Sequence, residues 1–149
     1  IFRGAIMAKK TAHVKQLGSD SITFVGKADS GHWVSMDGPE DFGGSDAGIR
    51  PKELLLLSLA GCSGSDVASV LAKKRVKLNG FEMNISAEQS EDHPKVYTSM
   101  HIEYVFRGKD VNKAAVERAI ELSLTKYCGV TAMLLKAMPI THSYKIESE

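Results

Sequence analysis

A chain of 149 residues, 43% hydrophobic and 25% charged, has the length and composition of one globular domain that buries its own core without staples. Nineteen basic residues face eighteen acidic ones, a net charge of +1 that falls to zero without Arg3. That balance argues against a nucleic-acid partner, which wants clustered positive charge.

Met7-Ala8-Lys9-Lys10 reads like a natural start, so residues 1–6 are expected to be extraneous and the domain to occupy residues 7–149. Three short β-prone runs follow, Val14–Leu17, Ser21–Val25 and His32–Met36. Turn-forming clusters at Gly18-Ser19-Asp20 and Asp29-Ser30-Gly31 separate them, which predicts an antiparallel meander. Residues 37–49 are rich in glycine and acid and have no periodicity. A loop of that length inside a compact domain is uncommon and often functional, so it reads equally as a lid or as an exposed connector.

Arg50-Pro51-Lys52-Glu53 opens a long predicted helix reaching about Arg75, with proline in the first turn where its missing N–H costs nothing. Leu54 to Leu57 and Leu59 make it apolar nearly all round, as in a buried helix. Its longest apolar run, Leu54 to Cys62, is broken by Ser58 and falls short of the ~20 residues a membrane span requires. Lys73-Lys74-Arg75 at its end complements the helix dipole and reads as a solvated cap. With no secretory segment near Met7, the expected compartment is the cytoplasm.

Beyond Asn79-Gly80, Phe81, Met83, Ile85 and Ala87 alternate with polar residues. After Glu91–Pro94, so do Val96, Thr98, Met100, Ile102, Tyr104 and Phe106. Period two on both sides of a turn predicts a half-buried hairpin. Asp110 is a candidate N-cap for a helix over Val111–Tyr127 that Cys128-Gly129 breaks. A short helix over Val130–Ala137 and a last alternating strand through Ile140, His142, Tyr144 and Ile146 complete the chain. The predicted order β-β-β-α-β-β-α-(α)-β means α+β, with antiparallel sheets and helices packed on one side.

The five histidines are scattered and no Cys-x-x-Cys occurs, so no metal or other cofactor is expected. His142 falls in the apolar register of its strand and reads as a core histidine. Gly61-Cys62-Ser63-Gly64-Ser65 sits inside an apolar helix and lacks a following Lys-Ser/Thr, which excludes a phosphate loop, and it has neither the spacing nor the setting of a hydrolase elbow. What remains is the pair of cysteines, Cys62 and Cys128, read as one thiol site or, alternatively, as two small buried hydrophobes. Spacing of four places Ser58 and Asp66 on the helical face of Cys62. A thiolate needs positive charge or donors nearby, and Asp66 works against it unless a base such as Arg50 or Lys52 neutralises it.

Arg50-Pro51-x-Glu53-Leu54 leading into Leu59-Ala60-Gly61-Cys62, and then Lys126-Tyr127-Cys128-Gly129-Val130, resemble the OsmC-like family of osmotically induced and organic-hydroperoxide-resistance proteins. The resemblance implies an intertwined homodimer with the cysteine helices central and two sites at the subunit interface. It further implies a peroxidase in which Cys62 attacks an organic hydroperoxide, Cys128 resolves the sulfenic acid to a disulfide, and a dithiol reduces it. The family's peroxidases add an arginine from the N-terminal strands, held by a glutamate ten residues before the first cysteine. Here that position is Lys52, with Glu53 next to it and pointing away from Cys62 on an ideal helix. No arginine occurs between Met7 and Ile49, so Arg50 is the nearest substitute. Arg50 and Lys52 are thus candidate thiolate stabilisers and Glu53 a candidate orienter of Arg50. The alternative within the same fold is a small-molecule-binding protein whose cysteines are buried and inert.

Overall fold

The structure, a computed structural model, describes residues 8–148; the expected start at Met7 and residues 1–6 lie outside the described residues. The chain divides into two compact units, one ending at Leu54 and one beginning at Leu55.

The first unit is the expected meander. Strands β1 (Ala12–Gln16), β2 (Phe24–Ala28) and β3 (Trp33–Met36) pair antiparallel in that order. Val14 lies opposite Gly26 and Gly26 opposite Val34. Val14, Phe24 and Val34 all remain substantially exposed, so this sheet has an apolar face that none of the described residues of its own unit covers. The Lys15 and Lys27 ammonium groups lie 5.6 and 5.0 Å from the ring centre of Trp33.

The glycine-rich segment is not loose. The buried carboxylate of Asp37 accepts from the N–H groups of Gly38 (2.7 Å), Ser45 (3.0 Å) and Ala47 (3.1 Å) and from the Thr23 hydroxyl (3.0 Å). A single-turn 3-10 helix at Glu40–Phe42 and a bridge pairing Met36 with Ile49 complete the bracing. Burial alone would raise the Asp37 carboxyl, but these donors outweigh it and hold it below the ordinary value. A depressed carboxylate stabilises the fold above the unfolded-state pKa of about 3.9 and ceases to do so as pH falls through its folded value. Asp37→Asn is therefore expected to lower the melting temperature at pH 7, with the gap from the parent closing on acidification below about pH 4. Thermal melts across pH check this.

The second unit carries the long helix and a mixed sheet. A 3-10 turn at Pro51–Glu53 leads into α1 (Leu54–Lys73). Strands β4 (Gly80–Gln89) and β5 (Tyr97–Arg107) form the predicted hairpin, with Phe81 opposite Phe106 and Ile85 opposite Ile102. The last strand, β6 (Ile140–Glu147), pairs with β5 in parallel, which corrects the expectation of wholly antiparallel sheets. A parallel neighbour requires a long crossover, and residues 108–139 supply it as helices. These are α2 (Lys113–Leu122), a π-helical turn at Ser123–Tyr127 and α3 (Gly129–Leu134). The cap of α2 is Asn112, whose side chain accepts from the Ala115 N–H at 2.9 Å. Asp110, the expected cap, has a φ of 56° and belongs to the preceding turn.

The core lies between this sheet and the helices. Met100, Ile102, Tyr104 and Phe106 on β5 pack with Leu59, Val67 and Leu71 of α1 and with Val116, Ala119 and Ile120 of α2. Gly64 allows α1 to come this close, since a Cβ there would sit 2.4 Å from the terminal methyl of Met83. His142 is exposed rather than in the core, because β6 is an edge strand and only Ile140, Tyr144 and Ile146 of that face are partly covered.

Pro51–Lys73 runs 23 residues as one helical stretch, long and apolar enough by length and composition to cross a membrane. Leu59, Ser63, Gly64, Val67 and Leu71 are its buried face, a single stripe of a core helix. Leu55 and Leu57 remain exposed.

Candidate thiol site

Cys62 lies at mid-length of α1, half-buried, and Cys128 is buried at the break between the π turn and α3. Folding brings them together: both sulfurs and a carboxylate oxygen of Asp66 lie within 4.8 Å of one another. Asp66 is one helical turn past Cys62 and shares its face, as the spacing of four requires.

The π turn sets the position of Cys128. The Cys128 N–H donates to the Ser123 carbonyl at 2.9 Å, closing the wide turn, and Cys128 then leaves the helix with extended backbone. Its sulfur accepts from the Thr131 N–H at 3.3 Å. Extra residues inserted into a helix in this way re-aim side chains, and they recur at functional sites.

The Cys62 thiol is pushed above its ordinary value, chiefly by burial. A hydrogen bond from the Val130 N–H pulls the other way, while Cys128 and the Asp66 carboxylate add to the upward push. Within its own unit, then, the thiolate has a backbone donor and an unfavourable anion beside it.

Beneath the sulfurs runs a chain of buried hydroxyls that periodicity alone does not reveal. Tyr104 and Ser63 share a hydrogen bond of 2.6 Å, Ser63 and Ser123 one of 2.9 Å, and the Ser123 hydroxyl donates to Asp66 at 3.2 Å. Tyr104, Ser63 and Ser123 are wholly buried, and burial raises the Tyr104 phenol. The only cue in the sequence is that Ser63 interrupts the buried stripe of α1.

Arg50, Lys52 and Glu53 belong to the first unit. The Arg50 guanidinium pairs with Asp46 and donates to the carbonyls of Asp37 (3.3 Å) and Gly48 (3.1 Å). Glu53 accepts the Arg50 backbone N–H at 3.0 Å, the work of a helix cap. Lys52 is half-buried within the 3-10 turn. Ser58, on the face of Cys62 by spacing, is exposed.

Comparison with known proteins agrees with this architecture. The family model described as OsmC-like protein matches residues 43–143. Protein YhfA of Escherichia coli K12 is 39% identical over 127 residues, covering 85% of this chain and 92% of its own. A hypothetical protein from Aquifex aeolicus has the same fold, with a TM-score of 0.80 at 31% identity over 96% of this chain and 99% of that one. An organic hydroperoxide resistance protein from Legionella pneumophila superposes with a TM-score of 0.66, at 13% identity, over 93% of this chain and 98% of that one. The chain belongs to the OsmC-like family.

Proposed function

We propose that this protein is a cysteine-based thiol peroxidase acting on organic hydroperoxides. The observation that carries the reading is the convergence of Cys62 and Cys128, 66 residues apart in sequence, into one cluster. The half-buried Cys62 is the sulfur a small oxidant reaches, and the buried Cys128 waits behind it.

The Cys62 thiolate attacks one peroxide oxygen, the O–O bond breaks, and the alcohol leaves after taking a proton. Cys62 becomes a sulfenic acid. The Cys128 thiol displaces its oxygen as water, giving a disulfide, and an external dithiol returns both thiols while being oxidised itself. Arg50 and Lys52 are the candidates to favour the Cys62 thiolate, with Glu53 fixing the backbone of Arg50. No metal, haem or flavin takes part in these steps, and a reducing cytoplasm suits a dithiol-driven cycle.

The working form in this reading is a homodimer. The exposed Leu55 and Leu57 of α1, and the uncovered apolar face of the first sheet, are surfaces a second copy would bury. Gly61 offers a test, because a Cβ there meets nothing within 4 Å among the described residues of the single chain. Gly61→Ala is expected to weaken the dimer in sedimentation experiments, although in a free helix the same change stabilises by about 1 kcal/mol.

Consumption of cumene or tert-butyl hydroperoxide with a dithiol reductant tests the activity. Turnover well above a Cys62→Ser control is expected. Equal rates would favour the second reading, a small-molecule-binding protein with unreactive cysteines, for which the upward push on the Cys62 thiol already speaks.

A further inference from the structure

We infer that reduced Cys62, Cys128 and Asp66 form a binding site for a thiophilic divalent cation, Zn2+ being the ion whose chemistry fits the donors. The expectation of no metal rested on the absence of closely spaced ligands in sequence. The fold supplies what the spacing lacks, placing two sulfurs and a carboxylate oxygen within 4.8 Å of one another.

Three features support the assignment. The first is the donor set: two soft thiolates, beside one carboxylate that zinc also accepts, select zinc over magnesium or calcium. Around tetrahedral zinc, with bonds of about 2.0–2.3 Å, donors stand roughly 3.3–3.8 Å apart. The longest edge of this triangle therefore closes by at most about 1.5 Å, within reach of side-chain rotation.

The second feature is support behind two of the donors. The Ser123 hydroxyl holds Asp66 and the Thr131 N–H holds the Cys128 sulfur. Ser123 is itself fixed through Ser63 to Tyr104. Outer contacts of this kind orient ligands and tune a bound ion.

The third is charge and access. Three groups that are anionic as ligands oppose one another when crowded together, and a divalent cation relieves that opposition. Binding proceeds as M2+ plus two thiols giving a bis-thiolate complex and two protons, with no change of oxidation state. Asp66 also lines an open groove of about 500 Å3 with Ser69, Val70, Lys73, Lys74, Leu122 and Tyr127, so its carboxylate is reached from solvent. Metal and peroxide then compete for the same sulfurs, because a disulfide has no thiolate left to offer.

Cobalt serves as the probe, added anaerobically to the full chain after reduction and chelation. The expected result is an ultraviolet thiolate-to-cobalt charge-transfer band and strong tetrahedral visible bands, saturating at one ion per chain and bleached by Zn2+. Cys62→Ser and Cys128→Ser should each remove much of the charge-transfer intensity. Asp66→Asn, which keeps shape, should weaken the affinity at least about 10-fold. Circular dichroism verifies that each variant is folded, and wild type oxidised to the disulfide, which needs no substitution, should give no band. Absence of the band in reduced wild type, persistence of the band in protein whose intact mass shows the disulfide, or unchanged affinity in folded Asp66→Asn would overturn the site. No peroxide enters the titration, so its outcome is separate from that of the peroxidase assay.

Discussion

Cys62→Ser is expected to abolish hydroperoxide turnover, by at least about 10^3-fold, with the circular dichroism spectrum unchanged. A hydroxyl of nearly the same size keeps the packing of α1, but it cannot form a sulfenic acid. Cys128→Ser should behave differently. Its first oxidation proceeds at the wild-type rate in a single-turnover experiment, because the attacking sulfur is intact. The product is then a persistent sulfenic acid, trapped by dimedone, and dithiol-dependent turnover falls. If the two variants lost the first step equally, the assignment of attacking and resolving roles would be wrong. If Cys128→Ser lost the first step and Cys62→Ser did not, the roles would be reversed.

Ser63→Ala is expected to cost about 3 kcal/mol, more than twice the roughly 1 kcal/mol expected for Tyr104→Phe. Ser63 is the middle member of the hydroxyl chain, bonded to Tyr104 on one side and Ser123 on the other, all three buried. Removing its hydroxyl leaves the Tyr104 phenol without its 2.6 Å partner in a core where no water reaches it. Removing the phenol instead leaves Ser63 still bonded to Ser123. Urea denaturation with a common slope measures both. Costs in the reverse order would mean that Ser63 is not the linking hydroxyl.

The fold was legible where one period ran uninterrupted. Alternation over Phe81–Ala87 and Val96–Phe106 located the hairpin and its buried face, and Pro51 with the leucines located α1. The parallel pairing of β6 was not legible, since alternation says which face is buried but not which neighbour a strand has. Asn112 displaced Asp110 as the cap because Gly108 and Asp110 take up the turn first. His142 followed the register but lies on an edge strand, where register does not ensure cover.

The site was legible in part. Spacing of four put Asp66 on the face of Cys62, and that holds in three dimensions. The π turn left no periodic trace, because it changes the helix by a single hydrogen-bond offset over Ser123–Tyr127. Ser123 therefore gave no sign that it would join Ser63 and Tyr104 under the sulfurs. Glu53 reads from the sequence as an orienter of Arg50, and its carboxylate accepts the backbone N–H of that residue while the guanidinium turns to Asp46.

The most direct measurement is the intact mass of the reduced protein after one equivalent of cumene hydroperoxide. A Cys62–Cys128 disulfide predicts loss of two hydrogens in wild type, restored by a dithiol, and gain of one oxygen in Cys128→Ser. An unchanged wild-type mass, or a shift that survives Cys62→Ser, would contradict a paired thiol centre.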